Sequence, residues 1–270
     1  MRHRPWEESA DFAIGLAPID DARWLEGGEA DPAARKDPLY TGHRDLVWGE
    51  TPGSRPGQLE VAALIGVTSS GDLPPLYAAS RTVADDLVLV EKTGGHWRVS
   101  AISLSAPTFF TAREVLGKSL AQIHGPVSGF NARFLVRLIR IFDGLRPGLI
   151  LQRRNWSVVN SREPFTPFSA PVRARIGEIA PADVGQALFT RVERQTVRRL
   201  PQTGGVLFTI RVWLTPFQAL AESPEQLVAF AQAWRGAAPE FAAYKGFHLY
   251  ADLVEGFLRA HGESHSVNGA

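Results

Sequence analysis

The chain has 270 residues, 44% of them hydrophobic, which is enough to bury one large core or two modest ones, and nothing in the composition points to disorder. Its 29 basic and 28 acidic side chains nearly cancel, so no global field draws nucleic acid or an anionic membrane, and a small or neutral partner is more natural. With no cysteine in the sequence, disulfides, thiolate-bound haem, protein-held iron-sulfur clusters and a cysteine nucleophile are all excluded.

The first segment, Met1 to Pro56, is rich in Trp, Pro, Gly and charge, with Pro5, Pro18, Pro32 and Pro38 set against any long helix, and reads as an irregular N-terminal arm. It has no apolar stretch behind its charged start, so no secretory signal is expected. Gln58 to Ile65 suits a short helix, and Leu76 to Ala84 a connector. Leu87 to Glu91, the Gly94-Gly95 turn and Trp97 to Leu104 then make a hairpin. Thr111 to Leu120 reads as a helix capped by Thr111 with Glu114 as its capping-box partner. Asn131 suits the cap of a second helix, in which Phe134, Leu135, Leu138, Ile139 and Phe142 form one apolar stripe.

Arg146-Pro147-Gly148 stops that helix, and Leu149 to Val159 returns to strand. Ala187 to Leu200 and Gly205 to Thr215 are two further strands joined by Pro201-Gln202-Thr203-Gly204. Pro224 to Arg235 and Leu249 to Ala260 are amphipathic helices ahead of a polar tail. The order is α+β: two hairpins with helices between them and helices at the end. We divide the chain into the arm (1–56), a core (57–215) and C-terminal helices with the tail (216–270), all in one domain. No apolar run reaches the roughly 20 residues of a membrane span, so a cytoplasmic protein bound to neither membrane nor nucleic acid is expected.

Three places could carry chemistry. His124, in Ile123-His124-Gly125-Pro126-Val127, sits where Pro126 and Gly125 could hold an imidazole in a rigid loop; taken alone, a histidine bonded to a nearby carbonyl is the commoner reading. On the strand through Gln152, alternation sets Arg153, Asn155 and Ser157 on one face against Arg154, Trp156 and Val158 on the other. That pattern suits a wet pocket with Trp156 in the core, or an edge strand with a solvated face. The strand Arg191 to Arg199 carries four arginines, whose forks suit carboxylates, or which pair across strands with partners such as Glu193. On the strand after it, Val206, Phe208, Ile210, Val212 and Leu214 are expected to face the core, with Thr209, Arg211 and Trp213 opposite. Dinucleotide, Walker-type, zincin and nucleophile-elbow motifs are missing, and the other six histidines have no metal-ligand spacing.

Several ordered segments carry a family resemblance: Phe12 to Pro18 with Trp24-Leu25, Asp86-Leu87, Leu116 to His124 with Pro126-Val127, Leu145 to Gly148, Arg154 to Val158, Arg191 to Thr196 with Arg199-Leu200-Pro201, and Phe208 to Arg211. Over most of its length the chain resembles the haem-dependent oxidative N-demethylases, the family of the dimethylamine monooxygenase haem subunit. The resemblance implies a PAS-like antiparallel sheet flanked by helices that holds haem b and uses dioxygen to oxidise the N-methyl group of a small methylated amine, releasing formaldehyde. It implies a separate flavin and iron-sulfur reductase, and allows a folate-dependent partner for the formaldehyde. Carried over by position, His124 is the iron ligand, Arg154, Arg199, Arg211 and Trp156 are placed at the cofactor, and Arg194, Gln195 and Asn155 at the reacting centre. Where the family shows Phe-Pro-Ser followed by Trp, this chain reads Ser105 to Phe110, which puts the identity of the amine in question first. The alternative from another class is a haem- or gas-binding sensor, or an accessory subunit, built on the same domain.

Overall fold

The computed structural model describes residues 4–7, 14–68, 71–125 and 131–266. Seven strands form one antiparallel sheet: β1 (Ala17–Ile19), β2 (Trp48–Glu50), β3 (Asp86–Thr93), β4 (His96–Ser103), β5 (Ile150–Val159), β6 (Phe189–Arg199) and β7 (Val206–Pro216), in the spatial order β1-β5-β6-β7-β3-β4-β2. The α+β expectation of an antiparallel sheet with flanking helices therefore holds. No described helix is long and apolar enough to cross a membrane.

The β3–β4 hairpin turns through Gly94 and Gly95, whose φ angles of 58° and 79° are the left-handed values that a tight hairpin turn demands. A bulge interrupts the pairing between Leu89 and Val90. Asp86 to Val90 is buried without interruption, the pattern of a strand covered on both faces. The β6–β7 hairpin closes over Pro201 to Gly204, where the Glu60 carboxylate accepts from the Gln202 amide (2.6 Å), the Thr203 amide (2.8 Å) and the Thr203 hydroxyl (2.6 Å).

The chain divides into two compact units, and the division falls inside β5, β6 and β7. The first comprises Ile14–Arg153 and Arg194–Arg211; the second comprises Met1–Ala13, Arg154–Glu193 and Val212–Ala270. Aromatic rings dominate the core of the second. Trp156 meets Trp6, Phe230 and Phe247 at centroid distances of 6.0, 5.6 and 5.2 Å, and Trp234 stacks on Phe247 at 4.1 Å. A buried relay crosses the same unit: Tyr250 Oη donates to Asn160 Oδ1 (3.0 Å), and Asn160 Nδ2 donates to Val172 O (2.7 Å).

Several elements depart from expectation. The N-terminal arm contains β1, β2 and an 11-residue helix, Pro32–Gly42, because Asp31 caps it by accepting from the Ala34 amide, Pro32 suits the first turn, and Pro38 is tolerated inside. The connector at Leu76 to Ala84 holds the short helix Pro75–Ser80. Thr111 and Glu114 do form their capping box, but the helix they start ends at Val115. Gly117, at φ 73°, breaks it, and a second capping box between Ser119 and Gln122 starts a new helix, Leu120–His124. Asn131 begins a π-helical turn, Asn131–Leu135, ahead of the helix Val136–Gly144, and is not an α-helix cap. The last helix runs Ala251–Ser266, later than expected, after a 3-10 turn at Phe247–Leu249. On β7 the expected alternation fails: Leu207, Thr209 and Arg211 are buried while Phe208 and Val212 are half-buried, since residues on both sides of this strand are covered. Phe12, Ala13, Pro126, Val127 and the tail Asn268 to Ala270 lie outside the described residues.

Candidate functional site

His124 closes the helix Leu120–His124, so its imidazole is carried by a helical turn and not by the open loop that Gly125 and Pro126 suggested. The Ser119–Gln122 capping box sets the start of this helix, and the i−4 geometry brings His124 Nδ1 to Leu120 O at 2.8 Å. A carbonyl oxygen only accepts, so Nδ1 carries the proton and the lone pair is on Nε2. Burial pushes the imidazole below its ordinary pKa; the bond to Leu120 opposes that shift, and the Arg153 cation adds to it. The ring is therefore held neutral with a defined tautomer, the state in which histidine binds a metal. Among the described residues no three His, Asp or Glu side chains converge as a metal-ligand cluster.

Strand alternation sorts the other candidates of the first unit. Gln152 and Arg153 are consecutive on β5 and project to opposite faces. Gln152 accepts from Arg194 Nε, so Arg194 shares its face, whereas Arg153, the cation acting on His124, projects to the other. Gln195 follows Arg194 on β6 and projects opposite to it, to the side of Arg153. Arg199 lies on that side as well, its guanidinium 5.1 Å from the Trp97 ring centroid and Nη1 donating to Phe142 O (3.1 Å). Arg194 and Gln195 therefore project to opposite faces of β6.

The face carrying Arg194 is covered by residues from the N-terminal segment. Arg194 is fully buried; Nη1 donates to Trp24 O (2.7 Å), Nη2 to Arg23 O, and Glu26 pairs with Nε at 3.3 Å. Trp24 Nε1 donates to Thr196 (3.2 Å), and Thr196 meets the Thr209 hydroxyl at 2.7 Å. Arg211 pairs with Glu29 at 3.1 Å, and Glu29 also takes both Arg35 Nε (2.8 Å) and Nη2 (2.9 Å), which holds its carboxyl below the usual range. Arg198 pairs with Asp21 and lies over the Trp24 ring. These arginines thus bond to the protein's own carboxylates and carbonyls.

Sequence reasoning missed the groups beside them. Lys36 is buried and donates to Ser80 O (2.7 Å), Val83 O (3.0 Å) and Asp85 O (2.6 Å), while burial pushes its pKa down to about 8. Asp86 receives the amides of Ser105 (2.7 Å) and Ala106 (2.9 Å). Asp85 is 1% exposed, neither of its carboxylate oxygens has a hydrogen-bond partner of normal geometry among the described residues, and burial pushes its pKa up to about 6 against the pull of Arg211, Lys36, Arg194 and Thr209. The Asp85-Asp86 pair ahead of an apolar strand was the only signal available; Lys36 gave none. Phe109, within the Ser105 to Phe110 segment, has φ 59°, the one left-handed non-glycine among the described residues, a conformation that stores about 1–3 kcal/mol.

The remaining candidates belong to the second unit. Trp156 is 3% exposed and packs in the core among Trp6, Phe230 and Phe247. Asn155 Oδ1 accepts from the Trp156 amide at 3.0 Å, and Arg154 is half-buried. Arg191, 1% exposed, donates to Pro164 O (3.3 Å) and pairs with Glu193 at 3.5 Å. A neutral, carbonyl-oriented histidine in a chain without thiolates narrows the chemistry, and the comparison with known families agrees with it: residues 50–255, well over half of the chain, match the family described as haem-dependent oxidative N-demethylase, alpha subunit-like, and the protein belongs to that family.

Proposed function

We propose that this chain is the haem b-binding subunit of an oxidative N-demethylase, which removes a methyl group from a small methylated amine with dioxygen and electrons from a separate reductase. In the overall balance the amine, one dioxygen, two electrons and two protons give the demethylated amine, formaldehyde and water. The family supports haem dependence. The observation that carries the reading to a residue is the 2.8 Å bond from His124 Nδ1 to Leu120 O, which puts the lone pair on Nε2, the nitrogen that would ligate iron. With no cysteine in the sequence, the residues present fit a haem that an imidazole would hold and do not fit thiolate ligation.

His124 would hold the iron, and Arg153 and Gln195, which project to the same side of neighbouring strands, would offer a cation for a propionate and an amide for the amine or its oxygen partner. Bound haem supplies the activation of dioxygen that attack on a C–H bond beside nitrogen requires. The chain's own contributions are orientation and exclusion of water. Leu120 O holds the imidazole plane and fixes its tautomer, while burial and the Arg153 cation keep the second nitrogen from taking a proton.

The test is formaldehyde release from the haem-loaded chain with a reductase across a panel of methylated amines, against the His124→Ala variant. Turnover that depends on His124 and on an amine supports the reading. A chain that binds dioxygen or carbon monoxide yet consumes no reductant with any amine is a gas-binding protein instead.

A further inference from the structure

The first unit carries an open cleft of about 710 Å³ that His124 does not line. Its volume is in the range of small-molecule sites. One wall is the β3–β4 hairpin, with Glu91, Lys92 and Arg98; the other is the turn Thr203 to Gly205 with Arg199; Gly53 and Asp143 stand at its ends. Both walls are built rigidly. Glu60 fixes the turn through three short hydrogen bonds, and Trp97 Nε1 (2.9 Å) and Lys92 Nζ (2.7 Å) both donate to Asp143 Oδ1.

Arg199 is the group that the fold prepares without using up. Its guanidinium lies over the Trp97 ring at 5.1 Å, and Nη1 is anchored on Phe142 O at 3.1 Å. Among the described residues it forms no ion pair within 4.0 Å, unlike Arg191, Arg194, Arg198 and Arg211. Its Nη2 lies beside Gly204, where a Cβ would stand 3.4 Å away. A stacked guanidinium with one donor anchored has little conformational freedom left to lose on binding, which favours a bidentate acid. The Asp143 charge in the cleft is partly offset by Lys92 and the Trp97 N–H, which both donate to it. Arg98, held by Gly117 O at 3.0 Å, adds a second fixed cation against the single remaining acid, Glu91.

We infer that this cleft is a binding site for a small organic anion carrying phosphate or carboxylate groups, with Arg199 as its principal contact and Arg98 as the second. The site is separate from the imidazole of the proposed iron centre, so its test needs no turnover. Isothermal titration of the purified full chain with sodium pyrophosphate and, separately, with citrate distinguishes the two acid classes. One of them should bind with unit stoichiometry and a Kd below about 1 mM. Arg199→Gln should weaken that binding at least tenfold. Gly53→Phe gives a second, independent reading: Gly53 lines the cleft and no atom lies within 4 Å of a Cβ built there, so a ring is accommodated without disturbing the core and should weaken binding. Failure of both anions to bind, or binding that survives in both variants, overturns the inference.

Discussion

Asp85 is the most exposed weakness of the first unit's energetics, although it is itself almost wholly buried. Its carboxyl is raised from the ordinary 3.8 to about 6, chiefly by burial, with Arg211, Lys36, Arg194 and Thr209 only partly offsetting that effect. A folded-state pKa above the unfolded one means that the native protein binds the proton more readily. The contribution to stability is therefore fully present below pH 3.8 and is lost as the pH rises through about 6. The span between those two values corresponds to about 3 kcal/mol, at 1.4 kcal/mol per tenfold change. Asp85→Asn keeps the shape and removes the titration. Its stability minus that of the parent should rise by about 3 kcal/mol between pH 4 and pH 8, the pull of the three cations being already contained in the folded-state value. Urea unfolding followed by circular dichroism at pH 4, 6 and 8 measures the difference. A difference that stays flat with pH, or falls, refutes the reasoning about this carboxylate.

Other perturbations follow from the same geometry. Glu60→Gln leaves the Gln202 and Thr203 amides with a weaker, neutral acceptor at best and should destabilise by about 1–3 kcal/mol in urea unfolding. Lys36→Met takes the donor from three carbonyls of the Ser80 to Asp85 loop and should lower stability by about 3 kcal/mol or more, read by the thermal midpoint. Trp156→Ala opens a cavity in the aromatic core of the second unit, at about 3–5 kcal/mol, and should leave the haem spectrum of the folded variant unchanged. Because burial holds His124 below its ordinary pKa, haem loss on acidification should be centred below the ordinary histidine pKa; loss centred at or above it counts against that burial argument.

Much of the architecture could be read from local chemistry. The Gly94-Gly95 pair declared the β3–β4 hairpin, Thr111 with Glu114 declared a helix start, and Pro224 to Arg235 was delimited correctly. What local chemistry concealed was decided at long range. Pro38 argued against the Pro32–Gly42 helix, yet Lys36 and Arg35 on that helix are tied to Ser80, Asp85 and Glu29, contacts that no periodicity announces. Likewise the arginines of β6 looked available for a ligand because their partners, Asp21, Arg23, Trp24 and Glu26, stand roughly 170 residues earlier in the chain. At His124 the residue was legible but its setting was not: Gly117 and the Ser119 capping box convert an expected loop into a helical turn, and that turn supplies the carbonyl which fixes the tautomer.

The central proposal, that His124 would hold the iron of a haem, is tested most directly by titrating haem b into the purified chain and into His124→Ala while recording the Soret band. The account requires a saturable, stoichiometric Soret shift in the parent, its loss or marked weakening in the variant, and recovery on adding free imidazole. An identical spectrum and affinity in both proteins, or no saturable binding by a parent that circular dichroism shows to be folded, would contradict it.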